Sequence, residues 1–362
     1  MTDKSSAENP LSEAQDDLFE HYRFEVDPGQ QPLRVDKFLV DRLPQTSRNK
    51  IQNAAAASCI RCNDKPVKSN YKVKAGDVIT LVLPYPPRVI ELIPEDIPLD
   101  IVYEDDDVVV VNKQAGLVVH PGYGNYSGTL VNALIFHFQN LPKAQIKGYG
   151  EEGVEENTDG TRPGLVHRLD KNTTGLMVIA KSELALPKLA AQFYDRTVTR
   201  AYVALVWGDV KDEEGTVIGH VGRSLKNRKV MNVFPDGEFG KHAVTHYKVL
   251  ERFGYVTLIQ CRLETGRTHQ IRIHMKHIGH PLFNDNEYGG DKILKGLSSN
   301  KYNQFIKNCF GLLPRQALHA KTLGFVHPSS GREIQFESEI PADISAVLVK
   351  WRTYTSSMNA SS

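Results

Sequence analysis

The chain has 362 residues, with 44 Lys or Arg against 43 Asp or Glu and a formal net charge of +1. That length suits two or three domains with a sizeable core, and the composition is that of a soluble globular protein. No run of about 18 apolar residues occurs, which excludes a helical membrane span. The polar, acidic start also lacks the basic and apolar regions of a secretory signal and the Arg-rich character of a transit peptide.

Four cysteines, Cys59, Cys62, Cys261 and Cys309, fit a reducing, cytoplasmic compartment. Cys59-Ile60-Arg61-Cys62 is a lone C-x-x-C without a second pair or nearby histidines, so it lacks the four ligands of a zinc site. Charge is unevenly spread. Residues 1–20 carry a net −5, whereas residues 33–83 hold ten Lys or Arg against four Asp. A positive excess confined to one small segment is the footprint of a nucleic-acid-binding module.

In chain order, residues 1–32 are expected to form an acidic, mobile tail, because such composition buries too little apolar surface to order itself. Residues 33–83 read as a small αα/β unit. Val35, Phe38, Leu39 and Leu43 recur at helical spacing. Thr46 or Ser47 can cap a second helix through Ser58, with Arg48 and Lys50 off its apolar face. Ile60-Arg61 and Val78–Leu83 read as strands. The start Leu33-Arg34-Val35-Asp36-Lys37-Phe38-Leu39, the run Thr46-Ser47-Arg48 and the end Lys74-Ala75-Gly76-Asp77-Val78-Ile79 resemble the S4 RNA-binding domain. Ser58 stands where that family usually has Gly, and Arg61-Cys62-Asn63-Asp64-Lys65 where a Val-Asn-Gly-Lys run is common. Pro84-Tyr85-Pro86-Pro87 opens a stiff linker over residues 84–98.

Residues 99–354 alternate strands and helices, and residues 355–362 read as a C-terminal tail. Ile101–Tyr103 and Val108–Val111 flank an acidic turn and predict a hairpin. Gly128-Thr129 precedes a helix, residues 140–163 read as a polar loop, and a last helix begins near Asp343 with Ile344, Val347, Leu348 and Trp351 on one stripe. Hairpins mixed with crossovers predict an α+β fold on a mixed sheet.

The most informative stretch is His167-Arg168-Leu169-Asp170-Lys171-Asn172-Thr173-Thr174-Gly175-Leu176-Met177. It sets one carboxylate, Asp170, between the cations Arg168 and Lys171, then enters an apolar strand. By itself an Arg-x-Asp-Lys run is usually a solvated turn. Entry into a core points instead to an acid kept ionised for chemistry beside a polyanion. The stretch closely resembles the catalytic motif of the RluA-type pseudouridine synthases. Three further blocks match in order: Thr199–Gly208 with Tyr202, Gly266-Arg267-Thr268-His269-Gln270-Ile271-Arg272-Ile273-His274, and Leu318-His319-Ala320. The block His120–Leu130 lacks the Gly-Lys-Ser/Thr ending of a phosphate loop. It resembles the synthase D branch, which modifies large-subunit ribosomal RNA. The resemblance spans about 33 to 350.

The resemblance implies the pseudouridine synthase fold, a mixed and mainly antiparallel sheet with flanking helices around a central RNA cleft. It implies that Asp170 is catalytic, Arg272 its ion-pair partner, and Tyr202 the residue that stacks on the uracil. Arg168 would reach toward the RNA and help fill the space left by the flipped base, and Leu318 would wall the base pocket. Alone, Arg272 would read as a helix surface charge and Tyr202 as a strand aromatic. Lys171, Arg267, Arg48, Lys50, Arg223 and Arg228 are further candidates for RNA contact, the last two with Lys226 and Lys229 in a second basic cluster. Thr268 can cap the helix that carries Arg272.

Isomerising uridine breaks the N-glycosidic bond, turns the uracil and joins C5 to C1′. No step exchanges electrons or uses external energy, so no cofactor is required. The carboxylate can act as nucleophile at C1′ or as base at the sugar, and both roles stay open. His274, His277 and His280 suggest a metal site by spacing, but the family uses none, and no metal is expected. The expected partner is RNA, with no membrane and no obligate protein partner. Two alternatives remain: the same chemistry on transfer RNA, and a binding-only ribosome assembly factor.

Overall fold

The computed structural model describes residues 18–43, 46–83, 92–122, 124–138, 140–144, 162–225, 227 and 230–359. They fall into two compact units, one ending before residue 84 and the other starting at residue 92.

The first unit contains β1 (Phe19–Glu25), β2 (Leu33–Arg34), α1 (Val35–Val40), α2 (Arg48–Ala56), β3 (Ile60–Cys62), β4 (Lys65–Pro66), β5 (Lys72–Val73) and β6 (Val78–Leu83). Its sheet runs β1-β6-β3-β4, and β2 pairs β5. Val35, Phe38, Leu39, Ile51, Ile60, Val73 and Ile79 fill the core. Ser47 caps α2 by accepting the Lys50 N–H at 3.3 Å. Ser58 follows α2 at φ +60°, the left-handed region where Gly is the ordinary terminator. Residues 19–25 correct the expected tail over 1–32. They form β1, antiparallel to β6, because Tyr22 and Phe24 stack their rings and Phe24 packs its edge on Phe38.

Asp36 is a fully buried carboxylate. It accepts a bidentate pair from Arg34 (3.1 and 2.9 Å), Arg48 Nε at 3.0 Å and Gln52 Nε2 at 3.0 Å. Burial alone would raise its pKa, but these donors together hold it far below the usual carboxylate range. Arg48 is therefore held through its guanidinium Nε while its side chain stays half exposed.

The second unit contains β7 (Ile101–Glu104), β8 (Val108–Lys113), α3 (Leu130–His137), β9 (Lys143–Ala144), β10 (Arg162–Pro163), β11 (Thr174–Ala180), α4 (Ala185–Asp195), β12 (Thr199–Trp207), β13 (Glu214–Arg223), β14 (Met231–Phe234), β15 (Lys241–Arg252), β16 (Val256–Leu263), α5 (Gln270–His277), α6 (Asn300–Leu312), β17 (Leu318–Val326), β18 (Glu333–Glu337) and α7 (Ala342–Asn359). Ten strands form one sheet in the order β14-β13-β15-β16-β12-β17-β11-β8-β7, with β18 on β17. All its ladders are antiparallel except β11–β17. This is an α+β architecture on a mixed, mainly antiparallel sheet.

The central strands are buried on both faces, so alternation sorts apolar side chains between two cores. On β12, Tyr202, Ala204 and Val206 join Met177, Ile179, Ile271 and Met275. Val203, Leu205 and Trp207 face Phe283, Ile306, Val347 and Trp351. Two expected boundaries move. Residues 92–98 belong to this unit rather than to a linker, since Leu92 and Ile97 pack on the first core and Ile93 O accepts from Asn132 Nδ2 at 2.7 Å. Likewise α7 runs to Asn359 through the expected tail, as the Thr355 and Ser357 hydroxyls bond back to Trp351 O and Tyr354 O.

The parallel β11–β17 ladder brings Thr174 beside His319 and Gly175 beside Ala320. A Cβ on Gly175, at φ +118°, would lie 2.2 Å from Ala320 O. Only Gly permits this approach. Gly175→Ala is therefore expected to destabilise the protein by roughly 3 kcal/mol or more, combining backbone strain with overpacking. The measurement is urea unfolding of the full chain, and a loss below about 1 kcal/mol would refute the steric reading.

Candidate active site

The segment before β11 alternates inward and outward. His167 lies between Phe193, on which it stacks at 4.5 Å, and the N–H of Val178, which it accepts at 3.0 Å through Nε2. Burial pushes its pKa down to about 3, with Arg200 adding to the effect, so the ring is neutral and structural. Leu169 is buried in the first core. Arg168 points outward, and Asp170 retains 19% side-chain exposure.

Asp170 opens a tight turn closed by Thr173 N–H to its own carbonyl at 3.1 Å. Each later residue of the turn is gripped from a different element. The buried Lys113 ammonium donates to Lys171 O at 3.1 Å, and to Gln114 O and Leu117 O at 2.9 Å each. Arg315 Nη1 donates to Asn172 O at 3.0 Å and to Leu318 O at 3.2 Å, while its other nitrogens hold Asp343 at 2.7 and 2.9 Å. Gln316 Nε2 reaches Thr173 Oγ1 at 3.3 Å, and His319 Nδ1 lies 2.9 Å from Thr174 Oγ1.

Arg272 faces this turn from α5, with only 3% of its side chain exposed. Its Nη1 donates to Asp170 Oδ2 at 3.3 Å. Nε and Nη2 form a bidentate pair with the wholly buried Asp285 at 2.7 and 2.8 Å, and Nη2 also contacts Glu287. Its guanidinium lies 4.8 Å from the centre of the Tyr288 ring. Burial opposes its charge, but the hydrogen bonds and charge of Asp285, with those of Asp170 and Glu287, raise its pKa well above the usual value.

His269 begins α5 in the left-handed region, at φ 55°. Its Nε2 lies 3.8 Å from Asp170 Oδ1, and its Nδ1 lies 2.8 Å from the Tyr288 hydroxyl. His269, not the expected Thr268, takes the N-cap position of α5. Gln270 satisfies the turn instead, its Oε1 accepting the Arg267 N–H at 3.0 Å and the Thr265 hydroxyl at 2.7 Å. For Asp170, burial favours protonation, but His269, Arg272 and Arg168 outweigh it and hold the pKa below the usual range. Tyr202 and Leu318 are buried in the same core as Leu169. Burial raises the phenol pKa of Tyr202, and the charge of Asp170 adds to the rise while Arg200 opposes it. An ionised carboxylate thus stands among cations at the margin of the apolar core, with a phenol ring close enough to sense its charge.

Residues 107–277 match the family model for RNA pseudouridylate synthase, and residues 33–79 match that for the S4 domain. An RNA pseudouridine synthase of Chlorobaculum parvum is 47% identical over 91% of this chain and 97% of its own. The chain belongs to the RNA pseudouridine synthases. An RNA pseudouridine synthase of Bacillus subtilis is 42% identical over 89% of this chain and 95% of its own. The ribosomal large subunit pseudouridine synthase D of Zymomonas mobilis is 41% identical over 86% and 91%.

In this synthase the structure brings together Asp170, Arg272, Tyr202 and Leu318. Arg168 stays exposed beside them, and its charge acts on Asp170; the remaining candidates have other surroundings. Lys171 turns aside to Asn125 Oδ1 at 3.0 Å. Arg267 Nε donates to His242 O at 3.2 Å. Arg223 ends β13 opposite Met231. Arg228, with Lys226 and Lys229, lies outside the described residues. Arg48 and Lys50 belong to the first unit. Of the three spaced histidines, His274 is buried inside α5 and His280 Nδ1 lies against Trp207 O at 2.8 Å, so they serve different surroundings.

Sequence reasoning missed Lys113, His269, Asp285 and Arg315. Lys113 had a signal, a lone cation ending the apolar run Val108-Val109-Val110-Val111. Burial pushes its pKa down to about 7, with Asp170 opposing and Arg315 assisting that shift. The unfolded chain keeps this proton to near pH 10.5 and the folded protein releases it near 7, so the unfolded state binds more protons between them. Wild type is therefore expected to gain stability relative to Lys113→Met as pH rises from about 7 to 10. Urea unfolding of both proteins across that range checks it, and a flat difference would refute the assignment.

Proposed function

We propose that this synthase isomerises uridines in large-subunit ribosomal RNA, with Asp170 as the reacting carboxylate. The observation that carries the reading is the ion pair of Asp170 with Arg272, itself anchored by buried Asp285. A carboxylate at the margin of an apolar core would otherwise take up a proton. Arg272 keeps it ionised for either route, attack at C1′ or removal of a proton from the sugar. It acts through only one oxygen, Oδ2, and leaves Oδ1 toward the cleft.

Tyr202 would stack on the uracil and Leu318 would wall its pocket; both are buried in one apolar cluster, and the charge of Asp170 is felt at the Tyr202 phenol, which supports that reading. Arg168, outward-facing next to Asp170, suits the space vacated by the flipped base. The N1–C1′ bond breaks, the base turns, C5 bonds to C1′, and the C5 proton leaves as N1 gains one. Arg267 and Arg223 are further RNA contacts of this unit. The ribosomal target is supported by the name of the Zymomonas relative and the continuous match to it.

Asp170→Asn is expected to abolish tritium release from large-subunit ribosomal RNA labelled at uridine C5, with RNA affinity changed less than about threefold. Arg272→Ala is expected to slow turnover by at least about a hundredfold, since it strands Asp285 as a buried unpaired charge. Near-normal release by Asp170→Asn would overturn the catalytic assignment. Release from transfer RNA alone would move the target.

For the S4 unit, Lys50 is exposed and Arg48 half exposed at the start of α2. Arg48→Ala with Lys50→Ala is expected to weaken RNA binding and reduce the salt slope by about 1 to 2, leaving turnover at saturating RNA nearly unchanged. An unchanged slope would exclude phosphate contact at that helix.

A further inference from the structure

The Tyr288 hydroxyl accepts the backbone N–H of Met231 at 3.1 Å. It has one proton of its own, and among the described residues its remaining partner is His269 Nδ1 at 2.8 Å. A buried hydroxyl uses its donor where an acceptor is in reach. Tyr288 therefore donates to Nδ1, and neutral His269 carries its proton on Nε2. The protonated ring would carry one there too, so in either state Nε2 presents an N–H.

That N–H sits 3.8 Å from Asp170 Oδ1, too far for a direct hydrogen bond. Oδ1 is the oxygen that Arg272 does not hold. Both side chains are partly open, at 18% and 19% exposure. A donor and an acceptor so spaced match one kind of group, a hydroxyl, lying about 2.8 Å from each and accepting from nitrogen while donating to oxygen. A uracil carbonyl fits worse, since it accepts only and would face the carboxylate unshielded. The hydroxyl next to C1′ in the substrate is the ribose 2′-hydroxyl.

We propose that His269 Nε2–H and Asp170 Oδ1 together bind the 2′-hydroxyl of the target uridine, so that the synthase checks for ribose at the reacting nucleotide itself. The proposal rests on Asp170 as the reacting carboxylate. His269 contacts the sugar, and Tyr288 is a positioning residue that sets its tautomer.

The test is a cycle between protein and substrate. Short RNAs carrying uridine or 2′-deoxyuridine at the target are compared for single-turnover rate and for equilibrium binding, with wild type, His269→Asn and Tyr288→Phe. Asn tolerates the left-handed backbone but is too short to reach. Wild type is expected to favour ribose by at least tenfold, in binding where the deoxy RNA is not turned over. In His269→Asn that preference should fall about tenfold, and in Tyr288→Phe by a smaller factor. An equal ribose preference in wild type and His269→Asn overturns the proposal, as does no preference in wild type. Nitrogen-15 NMR of free wild type provides a readout independent of turnover. A neutral Nε2–H tautomer supports the assignment and an Nδ1–H tautomer overturns it. Thermal unfolding of each variant separates loss of fold from loss of contact. Because the tautomer is read without RNA, failure here is distinguishable from failure of Asp170→Asn to abolish turnover.

Discussion

The buried guanidinium of Arg272 is the constraint on which the site depends. One cation with 3% exposure is shared among Asp170, the fully buried Asp285 and the partly exposed Glu287. Taking such charges out of water costs several kcal/mol per ion, recovered only when the geometry and remaining hydrogen bonds are good. Here the strongest geometry belongs to Asp285, bidentate at 2.7 and 2.8 Å, and the weaker bond of 3.3 Å goes to Asp170. That order has a functional consequence. Asp285 fixes the arginine, and Asp170, which is not its main partner, keeps Oδ1 out of that ion pair.

The same logic of buried cations governs the backbone around Asp170. Lys113 and Arg315 direct their donors at main-chain carbonyls, Lys171 O, Asn172 O and Leu318 O. Carbonyls of a turn at a cleft would ordinarily be solvated and free to shift. Bonded to Arg315, and to Lys113 while it keeps its proton, they are held by interactions about twice as strong as neutral hydrogen bonds. Arg315 links the turn of Asp170 to the wall formed by Leu318, and Asp343 at the start of α7 anchors Arg315 in turn. The C-terminal helix thus bears on the reacting group through Arg315.

This explains which parts were legible in the sequence. Asp170 stands in a local run whose turn formers survive in one dimension, whereas Arg272 was legible only through the resemblance of its block. The central strands announced themselves as apolar blocks. The supporting groups did not, because a buried ion pair is defined by a partner that folding supplies. Lys113 lies 58 residues from Lys171, and Arg315 lies 143 from Asn172. The misplaced cap at Thr268 has a related cause. Capping rules take a hydroxyl before a helix as its donor-satisfying group, whereas here the Gln270 amide, buried beneath the turn, accepts the Arg267 N–H. The strand at residues 19–25 was missed because the charge count stopped at residue 20, before most of its aromatic residues.

Why the site lies where it does follows from sheet topology. Antiparallel neighbours are joined by hairpins, which close off a strand end with their own backbone. At β11 and β17 the described sheet makes its one parallel ladder, so both strands start at the same edge and neither is closed by a hairpin to the other. Two independent segments, 164–173 and 313–317, enter side by side there. Their approach is allowed by Gly175 and tied by Thr174 to His319. The gap between two such entries is where side chains from unrelated parts of the chain can converge, as ligand sites in open sheets gather where strand order changes direction. α5 then needs only to lay Arg272 and His269 across that gap, each toward a different oxygen of Asp170.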